Sequence, residues 1–266
     1  MSAVLLPRPS LPNPPEPYDG MAVSEADYWE FYYLGHDVTY EWNDGVLEEK
    51  GVSDYLTFRV YDWFIQLLTE FLHTYPMADR VGLEMGFRLA LPNKVVIRRP
   101  DYGVVRHDNP APLTGLAQSY RGIFDLCIEG VSTSSKAMQE RDTVVKKVEY
   151  AAGGVREYYL LHRSPRLRQF YQLSARGVYE PMPVAPGGII QSTVLPGFQW
   201  RLDDLDRQPA LDTLIDDPVY QQYVLLNLQQ AQQRVEQAEQ CIQQERQRAE
   251  RLAAQLRALG IDPDAE

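Results

Sequence analysis

The sequence predicts an α/β protein built around a mixed β-sheet flanked by helices, with a long helix at its C-terminal end. Three observations predict it. Between Asp54 and His73 apolar residues recur at intervals of three and four. Short stretches rich in β-branched and aromatic residues then follow, interrupted by one further helical stretch. From Val219 to Leu259 glycine and proline are absent, and Gln, Glu, Arg and Ala dominate. Helix, strands, helix and more strands in that order indicate a mixed sheet covered by helices.

Each element has a local reason. Residues 1–23 open with a short apolar patch and become proline-rich. Repeated prolines remove backbone donors, so a disordered leader is expected there. Ser24 offers an N-cap for a short helix from Glu25 to about Leu34, with Asp27 completing a box-like start. Tyr40-Glu41-Trp42 and Val46-Leu47-Glu48 flank Asn43-Asp44-Gly45, and extended pieces around a D-G turn make a β-hairpin. Across Asp54–His73, Leu56, Val60, Trp63, Phe64, Leu67, Leu68 and Phe71 mark an amphipathic helix with one face on a core.

Strands are expected at Gly86–Leu91 and Val95–Val105, separated by the turn Pro92-Asn93-Lys94, and again at Ile123–Glu129. Ser132–Ser135 is a polar link. Lys136–Ala152 is helical, and Gly153-Gly154 supplies the glycine that follows a helix end. Glu157–His162 reads as a strand. Arg168–Leu173 and Val178–Met182 flank Ser174-Ala175-Arg176-Gly177 as a second hairpin. These elements define a domain over 24–205, followed by a linker at 206–218.

Residues 219–260 form the C-terminal helix, with a tail at 261–266. Leu228, Ala231, Val235, Ala238, Ile242, Glu245, Ala249, Leu252, Leu256 and Leu259 alternate by three and four, as in a coiled-coil seam. Such a seam would pair two chains as a homodimer. Alanines occupy several seam positions and Glu245 charges one, so a single solvated helix folding back on the domain also fits. Gly260 and Pro263 end the helix.

Composition narrows the function. A 44% hydrophobic fraction, 11% aromatic fraction and 17 tyrosines suit a globular core with strands. The formal net charge of -11 argues against adhesion to nucleic acid through overall charge. Local basic clusters stay open: Arg98, Arg99 and Arg106 bracket one strand, and Arg156, Arg163, Arg166, Arg168 and Arg176 crowd a later stretch. Two distant cysteines, Cys127 and Cys241, suggest a reduced compartment. No run reaches the roughly 18–20 apolar residues of a membrane span. The N-terminus lacks the pattern of a signal peptide. A cytoplasmic protein is therefore expected.

The candidate chemistry lies in acids placed within apolar runs, where charge is costly. Asp101 follows Pro100 within a β-like stretch, and Glu129 ends the next interior strand. Two carboxylates about 4 Å apart repel by roughly 4 kcal/mol at an effective dielectric near 20. Their convergence calls for a cation, a shared proton or a basic partner. Metal-assisted phosphodiester cleavage uses such a pair to hold Mg²⁺. Asp125 shares a strand face with Glu129 and Cys127, so it could serve as an extra acid or simply meet solvent at the strand end. Asp142, Lys146 and Tyr150 lie on one helical stripe. Lys146 could reach the carboxylates, or form a surface salt bridge with Asp142.

The ordered series RRPDYGVV, DLCIEGVSTSSK and RDTVVKKVEYAAGGVREYYLL, with YEWNDGVLEE upstream, resembles the Uma2 family of restriction-endonuclease-like proteins. That family belongs to the PD-(D/E)XK superfamily and is abundant in cyanobacteria. The family pattern falls on Pro100-Asp101, Glu129 with Ser132, Asp142 with Lys146 and Tyr150, and Gly154-Val155 with Glu157-Tyr158. The resemblance covers roughly residues 24–205. It implies a restriction-endonuclease-like core acting on DNA, with duplex as the expected form. It further implies Asp101 and Glu129 as ligands of Mg²⁺, or of Mn²⁺, and Glu41 as a further acid. The lysine position of E-x-K is Val131 here, so Lys146 on the next helix would orient or activate water. A helix register off by one would put Lys147 in its place. Gly130 stands where an aliphatic residue is commoner, Thr133 replaces a usual proline, and Tyr159 and His162 replace a usual tryptophan and acid.

Other classes lack their signatures. His36, His73, His107 and His162 have no zinc-site spacing, no G-x-S-x-G elbow occurs, and no glycine-rich phosphate loop is present. The remaining alternative is a binding or scaffold protein on the same core, acting through its C-terminal helix.

Overall fold

A computed structural model describes residues 14–258. Residues 1–13, the helix end expected at Leu259–Gly260 and the tail 261–266 lie outside the described residues. The chain enters through Ser24, whose side chain accepts from the Asp27 amide as an N-cap. Helix α1 (Glu25–Asp27) runs directly into a π-turn at Tyr28–Tyr32. The expected hairpin forms from β1 (Tyr40–Asn43) and β2 (Val46–Glu49). Asp44 and Gly45 take φ values of 47° and 100°, the positive angles that a two-residue hairpin turn demands.

Residues 20–23, expected within a disordered leader, instead run along this hairpin. Gly20 donates to the Leu47 carbonyl, Val23 donates to that of Gly45, and Met21 and Val23 are buried. The hairpin's open edge and an apolar pair together fix this stretch.

Helix α2 (Tyr55–Thr74) is capped by Asp54, which accepts from the Thr57 amide. Next come β3 (Ala78–Val81), β4 (Phe87–Ala90), β5 (Val95–Arg98) and β6 (Tyr102–Arg106). The single strand expected over Val95–Val105 is therefore two strands in two different sheets. Pro100 has no N–H to give a ladder, and the chain breaks there. One sheet has the order β2-β1-β5-β4. The other places β3 and β6 beside β7 (Leu126–Gly130), β8 (Glu157–Leu161), β9 (Gln169–Leu173) and β10 (Tyr179–Pro181), in the order β10-β9-β8-β7-β6-β3. Only β7 and β8 run parallel, which makes the larger sheet mixed. Their connection carries α3 (Lys136–Glu140), a π-turn at Arg141–Val145 and α4 (Lys146–Gly153). Gly154 ends α4 in the left-handed conformation.

Two apolar layers sandwich the large sheet. On one side α2 buries Val60, Trp63, Phe64, Leu67, Leu68 and Phe71 against Val104, Leu126, Ile128 and Tyr159. On the other, Tyr150 and Ala151 of α4 meet Cys127, Tyr158 and Leu160. The alternation of β7 thus sends Leu126 and Ile128 toward α2, and Cys127 and Glu129 toward α4. Fully burying one such large side chain contributes about 1.5–3 kcal/mol.

The chain closes with a small ladder of β11 (Ile189–Gln191) and β12 (Gln199–Arg201), then α5 (Asp204–Arg207). The segment expected as a linker is packed: Leu214 is buried, and Trp63 Nε1 donates to the Pro209 carbonyl at 2.8 Å. Val219, Tyr220, Tyr223 and Val224, expected to begin the long helix, belong to the α2 core. Leu225 takes a positive φ of 48°, and α6 (Leu226–Ala258) starts after it. No described helix is long and apolar enough to cross a membrane.

Candidate active site

The strand break at Pro100 and the end of β7 build the site together. Asp101 leaves β5 for β6, and the Gly130 amide donates to its Oδ2 at 2.6 Å. That bond ties the Asp101 carboxylate to the residue following Glu129. Ser53, just before α2, donates to the Gly130 carbonyl at 2.6 Å. The three segments enclose a cleft of about 320 Å³, lined by Gly51, Ser53, Phe58, Tyr61, Glu84, Asp101 and Gly130 among others.

Behind the cleft, acids and bases alternate in a continuous chain. The Lys50 ammonium contacts Asp101 Oδ1, lies 3.2 Å from Glu84 Oε1 and 3.8 Å from Glu129 Oε2. The Lys146 ammonium reaches Glu129 Oε1 at 3.0 Å, Glu41 Oε1 at 3.1 Å and Asp142 Oδ1 at 3.2 Å. Arg98 binds Glu41 Oε2 at 3.1 Å, contacts Glu48, and forks onto Glu149 at 2.6 and 2.9 Å. Lys94 meets Glu149 from the far side at 2.6 Å. Tyr150 donates to Glu129 Oε1 at 3.1 Å, and the Arg99 amide donates to Glu41 Oε1 at 2.8 Å.

The protonation of these groups follows from their neighbours. Burial works against charge on Glu41, but Lys146, Arg98 and Lys50 outweigh it and hold the carboxyl down at about 2. Glu129 shares Lys146 yet goes the other way, pushed up to about 8 by burial. Lys146 and Lys50 offset that burial only partly, and Asp101 and Asp142 add repulsion. The contrast is physical: Glu41 adds the Arg98 guanidinium and the Arg99 backbone amide to Lys146, whereas Glu129 faces two further acids. Burial also raises Asp142. Burial opposes charge on Lys146, but its three carboxylates hold its pKa well above the usual lysine value.

A family model described as "Uma2: Putative restriction endonuclease" matches residues 25–206. The chain belongs to the Uma2 family. A solved structure entitled as a putative nuclease belonging to DUF820, from Anabaena variabilis, superimposes with a TM-score of 0.55 at 11% identity. The match covers 69% of this chain and 97% of that one, and at this identity it establishes the fold. No curated protein matches the chain.

In this Uma2 chain the four residues singled out from the sequence, Glu41, Asp101, Glu129 and Lys146, belong to one connected cluster. Asp142 and Lys146 are not a wet surface pair, because the Lys146 side chain is only 1% exposed. Lys147 points elsewhere, its ammonium 4.0 Å above the Tyr171 ring. The π-turn before α4 sets that register, and such bulges recur at functional sites.

Asp125 stands apart from the cluster. It accepts from the Arg106 amide and Asn109, and pairs with Arg156 at 2.8 Å. Glu157, within the family pattern, is a structural anchor: its carboxylate receives Tyr159, Ser192, Thr193 and the Val194 amide. Arg98 and Arg99, left open from the sequence as part of a local basic cluster, are buried and bound to acids and carbonyls.

The sequence reading missed Lys50, Glu84, Glu149 and the hub role of Arg98. One signal for Arg98 existed. The hairpin sets Glu41 directly opposite Glu48, a like-charge pair that requires a cation.

The donor chemistry fits a hard divalent ion. Asp101 and Glu129 each turn one oxygen toward the same ammonium, so a positive charge already stands between them. Among the described residues no group of three or more His, Cys, Asp or Glu side chains surrounds a common metal position. Mg²⁺ characteristically binds through one or two carboxylates, with water and substrate phosphate completing its octahedron. Two converging carboxylates beside an open cleft meet that requirement.

Proposed function

We propose that the protein is an endonuclease that hydrolyses DNA phosphodiester bonds with a divalent cation, Mg²⁺ or Mn²⁺. The observation that carries this reading is the convergence of Asp101, which lines the cleft, and Glu129, buried behind it, on one cationic position. Family membership supports it independently. Asp101 and Glu129 would hold the ion, which when bound polarises a phosphate oxygen and lowers the pKa of an attacking water.

The chain's own residues prepare that position. The Gly130 amide fixes Asp101 Oδ2 and leaves Oδ1 for the ion. Lys146 and Tyr150 fix Glu129 Oε1 and leave Oε2. The Lys146 ammonium lies within 3.2 Å of three carboxylates and donates a hydrogen bond to Glu129 Oε1. Its contribution to orienting water is therefore exerted by fixing Glu129, with Glu41 and Asp142 fixing Lys146 in turn. Such preorganisation acts on kcat because it is in place before the charge develops.

DNA would enter past Phe58 and Tyr61, where aromatic faces can contact bases. Helix α6 would pair two cores for cleavage of both strands, since Val235, Ile242 and Leu252 of its seam are exposed.

Plasmid DNA tests the reading. Purified protein with Mg²⁺ or Mn²⁺ should convert supercoiled plasmid to open or linear forms, EDTA should stop it, and Asp101→Asn or Glu129→Gln should cost about a hundredfold or more. Cleavage unchanged in both variants would reject the site. An inactive wild type, with partner capture through α6, would favour the scaffold alternative.

A further inference from the structure

We infer that Lys50 is a resident counter-cation occupying the divalent-ion position, and that metal entry requires its ammonium to swing away from Asp101 and Glu129 toward Glu84. The inference rests on the proposed metal role of Asp101 and Glu129 and adds a residue that lies outside the family pattern.

The two lysines of the cluster differ in kind. Lys146 is enclosed by Glu41, Glu129 and Asp142, all within 3.2 Å, and its side chain is 1% exposed. Lys50 lies at the cleft side of Glu129. Two of its partners open to solvent: the Asp101 side chain is 25% exposed and that of Glu84 is 34% exposed. Its contact with Glu129, at 3.8 Å, is too long for a hydrogen bond, so Lys50 is tied to Glu129 far less closely than Lys146 is, and is held instead by Asp101 and Glu84 on the solvent side.

Lys50 follows β2 and is succeeded by Gly51, Val52 and Ser53, which lead along the cleft wall to the α2 cap at Asp54. A lysine carries its charge on a flexible four-carbon stem, so a rotamer change moves the ammonium without moving the backbone. Glu84 already accepts from it at 3.2 Å and provides a resting place. The Glu84 backbone has a positive φ of 55°, and the Arg99 guanidinium holds its carbonyl at 2.9 Å, which keeps this residue at the cleft rim.

Two unlike requirements are met by one movable charge. Without an ion, two carboxylates beside a third at Asp142 would repel, and the ammonium removes that repulsion. With an ion, the same ammonium would be a like charge within a few ångströms of a dication and must leave. Metal affinity is thereby set by exchange rather than by simple filling. Once beside Glu84, the amine stands at the rim of the cleft, where it can contact a phosphate.

The test measures Mn²⁺ binding by calorimetry on the full chain as wild type, Lys50→Met and Lys94→Met. The Lys94 variant removes an equal charge from the far end of the same acid–base chain. The inference predicts Mn²⁺ affinity about tenfold or more higher for Lys50→Met, with Lys94→Met within about threefold of wild type. A wild type that does not bind while Lys50→Met does supports it equally. Affinity unchanged or weaker in Lys50→Met, with the wild type binding, overturns the exchange and leaves the metal site standing. No binding in the wild type or Lys50→Met would remove both.

A second measurement needs no variant. Acetylation of wild-type Lys50, followed by peptide mass spectrometry, should accelerate when Mn²⁺ is added, because the ammonium moves toward solvent. Binding of Mn²⁺ with no change, or with protection of Lys50, overturns the inference.

Discussion

Replacing Lys146 by Met probes the cluster where its energetics are largest. The methionine keeps most of the stem volume and removes the charge. Glu41, Glu129 and Asp142 then share a buried space without the ammonium that now lies 3.0–3.2 Å from each. Breaking a buried ion pair by deleting one partner costs about 3–5 kcal/mol. A typical domain has about 5–15 kcal/mol of stability in total. At about 2–4 °C per kcal/mol for a chain of this size, the melting temperature should fall by roughly 6–20 °C.

The loss has a pH signature. Without Lys146, Glu129 and Asp142 have folded-state pKa values further above their unfolded values near about 4, and Glu41 loses the largest of the charges that hold it below. The folded state then holds protons that the unfolded state releases, so stability is retained at low pH and lost as pH rises through the folded values. The deficit relative to wild type should therefore be wide at pH 8 and narrow at pH 5. Differential scanning calorimetry at both values measures it. A deficit below about 1 kcal/mol at both would match an exposed i,i+4 pair, and would refute the account of Lys146 as the cluster's buried keystone.

Three further outcomes follow from the same geometry. Glu129, raised to about 8 by burial, should make metal-free wild-type protein less stable as pH rises from about 4.5 to 8; Glu129→Gln should flatten that slope in parallel melts, and an unchanged slope would count against it. A chain ending at Leu225 should melt like the full chain, whereas one ending at Asp217 should lose several kcal/mol with the buried Tyr220 and Tyr223 rings, which urea titration would detect. If α6 pairs two chains, the full protein should sediment as a dimer and the chain ending at Leu225 as a monomer; identical behaviour would remove α6 from assembly.

Much of the fold was legible because its causes are local. The D-G turn between β1 and β2, the Asp54 cap with the apolar stripe of α2, and Gly154 at the end of α4 each sit within a few residues of what they control. The strand over Val95–Val105 was misjudged because its apolar run continues past Pro100, while pairing changes sheets there. The short strand Ala78-Asp79-Arg80-Val81 carries too little alternation to be seen. Val219–Val224 continued the helical pattern in sequence, yet Tyr220 and Tyr223 gain more from the aromatic cluster around Phe71 and Phe198.

The site divides in the same way. Asp101, Glu129, Glu41 and Lys146 stood out through an ordered family pattern. Lys50 has its acidic partners at Glu84, Asp101 and Glu129, far along the chain, and nothing nearby distinguishes it from a solvated lysine at a strand end. Burial of the Asp142–Lys146 pair was likewise invisible, because the same i,i+4 spacing serves a wet surface equally well.

Crystals soaked in Mn²⁺ would examine the central claim directly, through anomalous difference density. The account predicts a peak within about 2.0–2.2 Å of carboxylate oxygens from both Asp101 and Glu129, with the Lys50 ammonium displaced from between them. Well-ordered crystals with no peak there, or with manganese bound only to acids outside this cluster, would contradict it.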